Sequence, residues 1–322
     1  MLTELFSWIA GALLLWLPGA AFRLQRERDP FVRLAMQLAI GIAFWPVLLL
    51  WTSQIGWRWS TVSVRLVVVA LAIISVERDA RRMRAGRPLS YAFLFGAAIV
   101  SRALQARDLA FPPWVDSVHH AAIARAIIDS GMLPPLYYHW GYHALIAFVS
   151  WFTGVTDPMQ LPAVMLAFGQ LLNALTFVMV YAAARVLFNS RSAGLAAATI
   201  ATMITTFPAF YLSWGRYTHL TGVLLLPPLL IATWRLAQRP SARGAILVAL
   251  LGAGLFLIHV RIAFFVAPIT AVASTILAGP WLLHLISNSR VAEFASTRLV
   301  SMPSIAITIF LPLAIACGGI IA

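Results

Sequence analysis

The chain has 322 residues, of which 61% are hydrophobic and only 10% are charged. That excludes a disordered chain and a soluble domain of ordinary composition, because too few charges exist to cover a water-facing surface. The net charge of +13 comes from 23 basic residues, every one an arginine; most of the excess sits in short loops between apolar runs, so no nucleic-acid partner is expected.

The apolar runs approach twenty residues and do not alternate, which predicts an all-α polytopic membrane protein and not a transmembrane barrel. Ten spans are expected, at about 4–22, 34–53, 61–77, 89–105, 160–187, 193–212, 219–237, 244–260, 262–283 and 300–322. The first run, Met1 to Ala20, lacks a basic leading segment and reads as a retained span, not a cleaved signal. Residues 1–88 form N-terminal transmembrane helices, 89–265 a central block with a long loop at 106–160, and 266–322 C-terminal transmembrane helices. The single cysteine, Cys317, permits no disulfide framework within one chain.

Arginines sort the loops. Arg23, Arg26, Arg28 and Arg33 fill the first; Arg78, Arg81, Arg82, Arg84 and Arg87 the third; Arg185 and Arg191, then Arg235, Arg239 and Arg243, then Arg290 and Arg298 the later ones. These loops alternate along the chain, so they share one face, which the positive-inside rule makes cytoplasmic. Both termini then face outward. The scheme holds only if the apolar stretch from His143 to Phe152, roughly ten residues and too short to span, lies in the interface.

The long outer loop predicts two interfacial helices. One runs from about Asp116 to Ser130, closed by Gly131 and Pro134; the other runs from about Gly141 to Phe152, closed by Gly154. Trp114, Tyr137, Tyr138, Trp140, Tyr142 and Trp151 suit a membrane–water boundary.

In this topology the outer face collects Asp116, His119, His120, His139, His143, His219, His259, Arg216 and Arg261, from three separate regions of sequence. Ionisable groups at membrane depth are costly and mark function. Asp116, with His119 and His120 three and four residues on, shares a helix face with imidazoles. It could accept a hydroxyl proton, hold a divalent metal with a histidine, or merely cap its helix. His139 and His143 have a spacing that permits a shared metal. Arg216, beside His219 in SWGRYTHLTG, could clamp a phosphate or anchor to lipid headgroups. Arg261, beside His259 in LIHVRIAFF, needs an anionic partner. No phosphate-binding loop, dinucleotide fingerprint, metalloprotease motif or nucleophile elbow is present, so ATP-driven transport by this chain alone is not expected.

A span followed by an outer loop with an acidic residue ahead of a short amphipathic helix (PPWVDSVHHAAIARAIIDSG), then prolines and aromatics and a second interfacial helix, resembles the GT-C superfamily of integral-membrane glycosyltransferases, most closely family-39-type enzymes. The likeness covers roughly residues 89 to 265. It implies a GT-C-like core that moves a sugar from a polyprenyl-phosphate carrier to an acceptor at the exoplasmic face. Asp116 matches the family's first-loop acid, and His119 and His120 stand beside it. Arg216 and Arg261 match, by topology, the residues that meet the carrier phosphate, with His139, His143, His219 and His259 around them. The implied partners are a polyprenyl-phosphate-linked sugar and membrane lipids. The sequence departs from the family where Ser117 follows Asp116, since an acidic pair is common there. Two other readings use the same residues: a permease with a histidine proton relay, and a non-catalytic scaffold subunit, in which the outer polar groups would not converge.

Overall fold

A computed structural model describes residues 2–22, 27–79, 89–135, 139–239 and 241–266. The arginine loop 80–88, Arg23, Arg26, Tyr137, Tyr138, Cys317 and most of the two expected spans beyond residue 266 lie outside the described residues.

The described residues are helical, with no strand among them. α1 (Leu2–Ala21), α2 (Pro30–Gln54), α3 (Thr61–Asp79) and α4 (Leu89–Ala106) lead to the short helices α5 (Val115–Ser130) and α6 (Gly141–Thr153). Then come α7 (Leu161–Leu187), α8 (Arg191–Thr199), α9 (Tyr211–Trp214), α10 (Tyr217–Gln238) and α11 (Ala242–Ile258), with a further helical segment at 260–266. Four helical stretches, Glu4–Ala21, Pro30–Gln54, Leu161–Leu187 and Tyr217–Gln238, are long and apolar enough to cross a membrane.

Lipid accounts for what the surface shows. α1 turns Leu5, Phe6, Ile9 and Leu13 outward, and α3 turns Val62, Leu66, Val69 and Ile73 outward. Each set keeps close to helical spacing and makes an apolar stripe of a kind that soluble monomers rarely expose. Inside, α7 is buried along most of its length and packs against α1, α2, α4, α8 and α10. Where lipid covers the outside, helices gain from close backbone approach, and small residues permit it. A Cβ on Gly41 would lie 1.9 Å from the Leu15 carbonyl oxygen, and one on Gly19 2.2 Å from that of Gln37. The Trp45 indole N–H donates to the Leu14 carbonyl across the same seam at 2.8 Å. Gly41→Val is therefore expected to prise α1 from α2 at a cost of about 1–3 kcal/mol or more, read as a lower unfolding temperature in detergent; an unchanged temperature would contradict the close seam.

Among the described residues, the expected spans at 4–22, 34–53, 61–77, 89–105, 160–187, 219–237 and 244–260 coincide with helices, whereas 193–212 is not one continuous helix. α8 passes into a π-helical turn, Ile200–Ile204, and the chain then turns through Thr205, Thr206 and a cis Phe207–Pro208 bond into the single turn of α9. The threonines can satisfy their hydroxyls on local carbonyls, as Thr202 does on Ala198 and Thr205 on Ala201, and Pro208 has no N–H to continue the ladder.

The two loop helices fall where expected, each closed by a left-handed glycine, Gly131 (φ 71°) and Gly154 (φ 83°). α6, at 13 residues, is too short to span, as expected, but it does not lie open to an interface. Residues Gly141 to Trp151 are all buried, and α6 packs against α1, α2, α3 and α5. Trp45 and Trp59 close on Phe148, with ring centroids 4.6 and 5.2 Å away. The apolar run is covered by protein, so Trp140, Tyr142 and Trp151 are core residues and not a boundary belt.

The bundle has two chemically distinct ends. At one, Asp29 caps α2 and its carboxylate meets Tyr181, Arg185 and Arg191, while Glu27 pairs with Arg235. Arginines from two of the arginine-bearing loops thus meet the acids of the first at one end. His219, at the start of α10, lies sixteen residues before Arg235, about 24 Å along the helix. That is close to the thickness of a bilayer core.

Candidate functional site

The end of the bundle away from the arginines gathers the N-termini of α5, α6, α7 and α10 and the C-terminus of α11. Polar side chains are expensive in the apolar body and are admitted where helices begin and end. The turn between α9 and α10 sits directly on the start of α5. Gly215 has φ 59°, and a Cβ there would lie 2.2 Å from the Ser117 hydroxyl and 2.5 Å from the Pro113 carbonyl. Trp114, just ahead of α5, holds φ 82°, a strained value for a residue with a side chain.

This junction sets the acid against the arginine. Asp116 is not the cap of its helix: Trp114 holds the cap position and Asp116 lies within the first turn. Its carboxylate faces the Arg216 Nε at 3.8 Å, both side chains about half exposed. Arg216 also lies over the Trp214 ring, 4.6 Å from its centroid.

The histidines form two linked groups. His120 Nδ1 and His143 Nε2 share a 2.9 Å hydrogen bond, and both rings are buried. His119, its neighbour on α5, is exposed. The second group is a row: the His139 ring lies 4.9 Å from that of His259, and His259 stacks on His219 at 4.9 Å and 28°. The Tyr211 hydroxyl and His219 Nδ1 share a hydrogen bond of 2.9 Å. His139 and His143 do not act as an i, i+4 pair on one helix, because α6 begins at Gly141 and their rings turn to different neighbours. Arg261 is exposed and acts electrostatically on His139 and His259; Arg216 acts on His219.

These surroundings disfavour charge on the imidazoles. Burial lowers His120 to a pKa of about 4, with nearby Asp116 opposing the shift and His119 adding to it. Burial, then His120 and Arg261, lowers His139 to about 4. His143 is held well below the ordinary value by burial and by His120, His139 and His119. All three bind a proton more readily in the unfolded chain, so they leave stability unchanged above pH ~7 and remove it as pH falls through 6.5 toward 4. A falling unfolding temperature over that window is expected, with a shallower fall in His120→Gln; a flat profile from pH 7 to 4 would contradict the neutral cluster.

The donor set does not fit a resident divalent metal. Asp116 faces a guanidinium, the histidine row lies beside two arginines, and among the described residues no three of His, Cys, Asp or Glu stand as a ligand set. Guanidinium groups and neutral imidazoles instead suit an anion, and phosphate above all.

A family model matches residues 12–321, almost the whole chain. The chain belongs to DUF6541, a family of unknown function. No curated protein and no solved structure matches it. In this DUF6541 chain Asp116 faces Arg216, His120 pairs with His143, and His139, His259 and His219 form a row on which Arg261 acts, while His119 is exposed. Tyr211, Trp214 and the Gly215–Ser117 contact were not expected. SWGRYTHLTG held two of them, but only the fold shows that this turn lands on α5.

Proposed function

We propose that the protein is an integral-membrane glycosyltransferase of GT-C type, with about ten spans and both termini facing outward. It would transfer a sugar from a polyprenyl-phosphate carrier to an acceptor hydroxyl at the exoplasmic face. The observation that carries this reading is the facing of Asp116 and Arg216 at 3.8 Å, beside a histidine row, at the end of the bundle opposite its arginine cluster.

The pair suits exchange. A loose, half-exposed ion pair contributes little stability, so Arg216 can turn from the carboxylate to an arriving phosphate, a better match for its planar fork. Asp116 is then released as a base. The acceptor oxygen attacks the anomeric carbon, the bond to the phosphate oxygen breaks, and its electron pair leaves on the phosphate. Asp116 takes the acceptor's proton, and the guanidinium stabilises the charge that develops on the leaving group. A single displacement inverts the anomeric centre.

A scaffold subunit needs no such convergence, and the polar groups do converge. The test is a transfer assay on the purified full chain, in lipid nanodiscs, with radiolabelled polyprenyl-phosphate sugars. Transfer of label to an acceptor supports the reading; no transfer from any hexose or pentose donor overturns it.

A further inference from the structure

The row of three imidazoles is more ordered than a phosphate clamp requires. His139, His259 and His219 come from the loop ahead of α6, the C-cap of α11 and the first turn of α10. Close backbone packing seats the middle ring: a Cβ on Gly222 would lie 2.9 Å from the His259 Cβ, and one on Gly141 2.6 Å from the Ile258 side chain. The Tyr211 hydroxyl fixes His219 from the other side. Arg216 acts on His219, and Arg261 acts on the other two rings.

Among the described residues, His120 and His143 also act on His139, and Tyr211 on His219. Asp116 already faces Arg216. The row therefore carries an excess of cationic neighbours over carboxylates. Rings packed this closely oppose one another's protonation, and so do the arginines. An anion between them reverses that balance: it offsets the guanidinium charge and makes an imidazolium favourable.

We propose that His139, His259 and His219, flanked by Arg261 and Arg216, capture the phosphodiester headgroup of a lipid together with a proton. This rests on the phosphate site of the function above but not on catalysis. A sugar–phosphate–polyprenol is a phosphodiester with one fixed negative charge; the phosphate left after transfer carries a second. A protonated row would hold that product more tightly than the donor, so release of the spent carrier would be favoured as pH rises.

The experiment is calorimetric titration of the full chain in neutral-lipid nanodiscs with the methyl ester of a short polyprenyl phosphate, which does not itself titrate between pH 6 and 8. Binding is expected to tighten as pH falls, by up to about tenfold per unit for each proton taken up. Two buffers of different ionisation enthalpy should report the proton uptake directly. His259→Gln and, as a second variant, His219→Gln should bind the probe more weakly and lose most of the gain in affinity between pH 8 and pH 6. Affinity independent of pH in the wild type, or an unaltered pH profile in both variants, overturns the proposal. Phosphatidylglycerol, also a phosphodiester, is titrated in parallel. If it alone binds with proton uptake, the capture proposal stands and the polyprenyl donor fails; if the polyprenyl ester binds so and no sugar is transferred, only the transferase reading fails.

Discussion

Asp116→Asn is expected to lower sugar transfer by about a hundredfold to ten-thousandfold, the usual contribution of a general base, while the protein inserts and elutes as the wild type does. The amide has the same size, so the junction of α5 with the turn before α10, which rests on the Gly215–Ser117 contact, should hold. What is lost is an acceptor for the hydroxyl proton. A purely structural Asp116 would behave differently: its carboxylate is half exposed and its ion pair long, so its replacement would change stability by less than about 1 kcal/mol and leave turnover intact. The two outcomes are separated by initial transfer rates per folded molecule. Wild-type rates in Asp116→Asn would remove the residue from the chemistry.

The meeting of Asp116 with Arg216 was foreshadowed by charge, because sorting across a bilayer depends on loop composition and needs no knowledge of packing. Alternating arginine loops put Asp116, His219 and His259 on one side, and the end where Arg185, Arg191 and Arg235 meet Asp29 and Glu27 has that character. Helix ends were legible for a local reason: Gly131 and Gly154 adopt positive φ, which favours glycine. Three things were hidden. The burial of α6 was hidden because an apolar run covered by protein has the same composition as one covered by lipid. The break after Ile204 was hidden inside an apolar run whose few warnings were Thr205, Thr206 and Pro208. The pairing of His120 with His143, twenty-three residues apart, is set by how α5 lies on α6, a tertiary fact with no local trace.

The acids of the arginine end carry no topogenic signal in the sequence, yet Asp29 is where the largest loss of stability is expected. Its side chain is 5% exposed. It accepts from the Phe31 and Val32 backbone N–H groups at 3.1 and 3.3 Å, which caps α2, and the Tyr181 hydroxyl donates to it at 3.0 Å. Arg185 and Arg191 reach the same oxygen, Oδ2, at 3.3 and 3.6 Å, so one carboxylate ties α2 to α7 and α8. Asp29→Ala removes the cap, worth about 1 kcal/mol, and strips a largely buried charge from its partners, a change that costs about 3–5 kcal/mol where burial is complete. Arg185 is 24% exposed and Arg191 62% exposed, so solvent recovers part of that, and a total of about 3 kcal/mol is the expected loss. Asp29→Asn keeps one oxygen for the cap but sets an NH2 group where Oδ2 met Tyr181 and the arginines, so it should fall between Ala and wild type. Because the site lies roughly 24 Å away along α10, molecules of either variant that remain folded should transfer sugar at the wild-type rate. Unfolding in graded dodecyl sulfate, followed by helicity, measures the order; Asp29→Ala unfolding together with the wild type would show that the three helices are held by apolar packing alone.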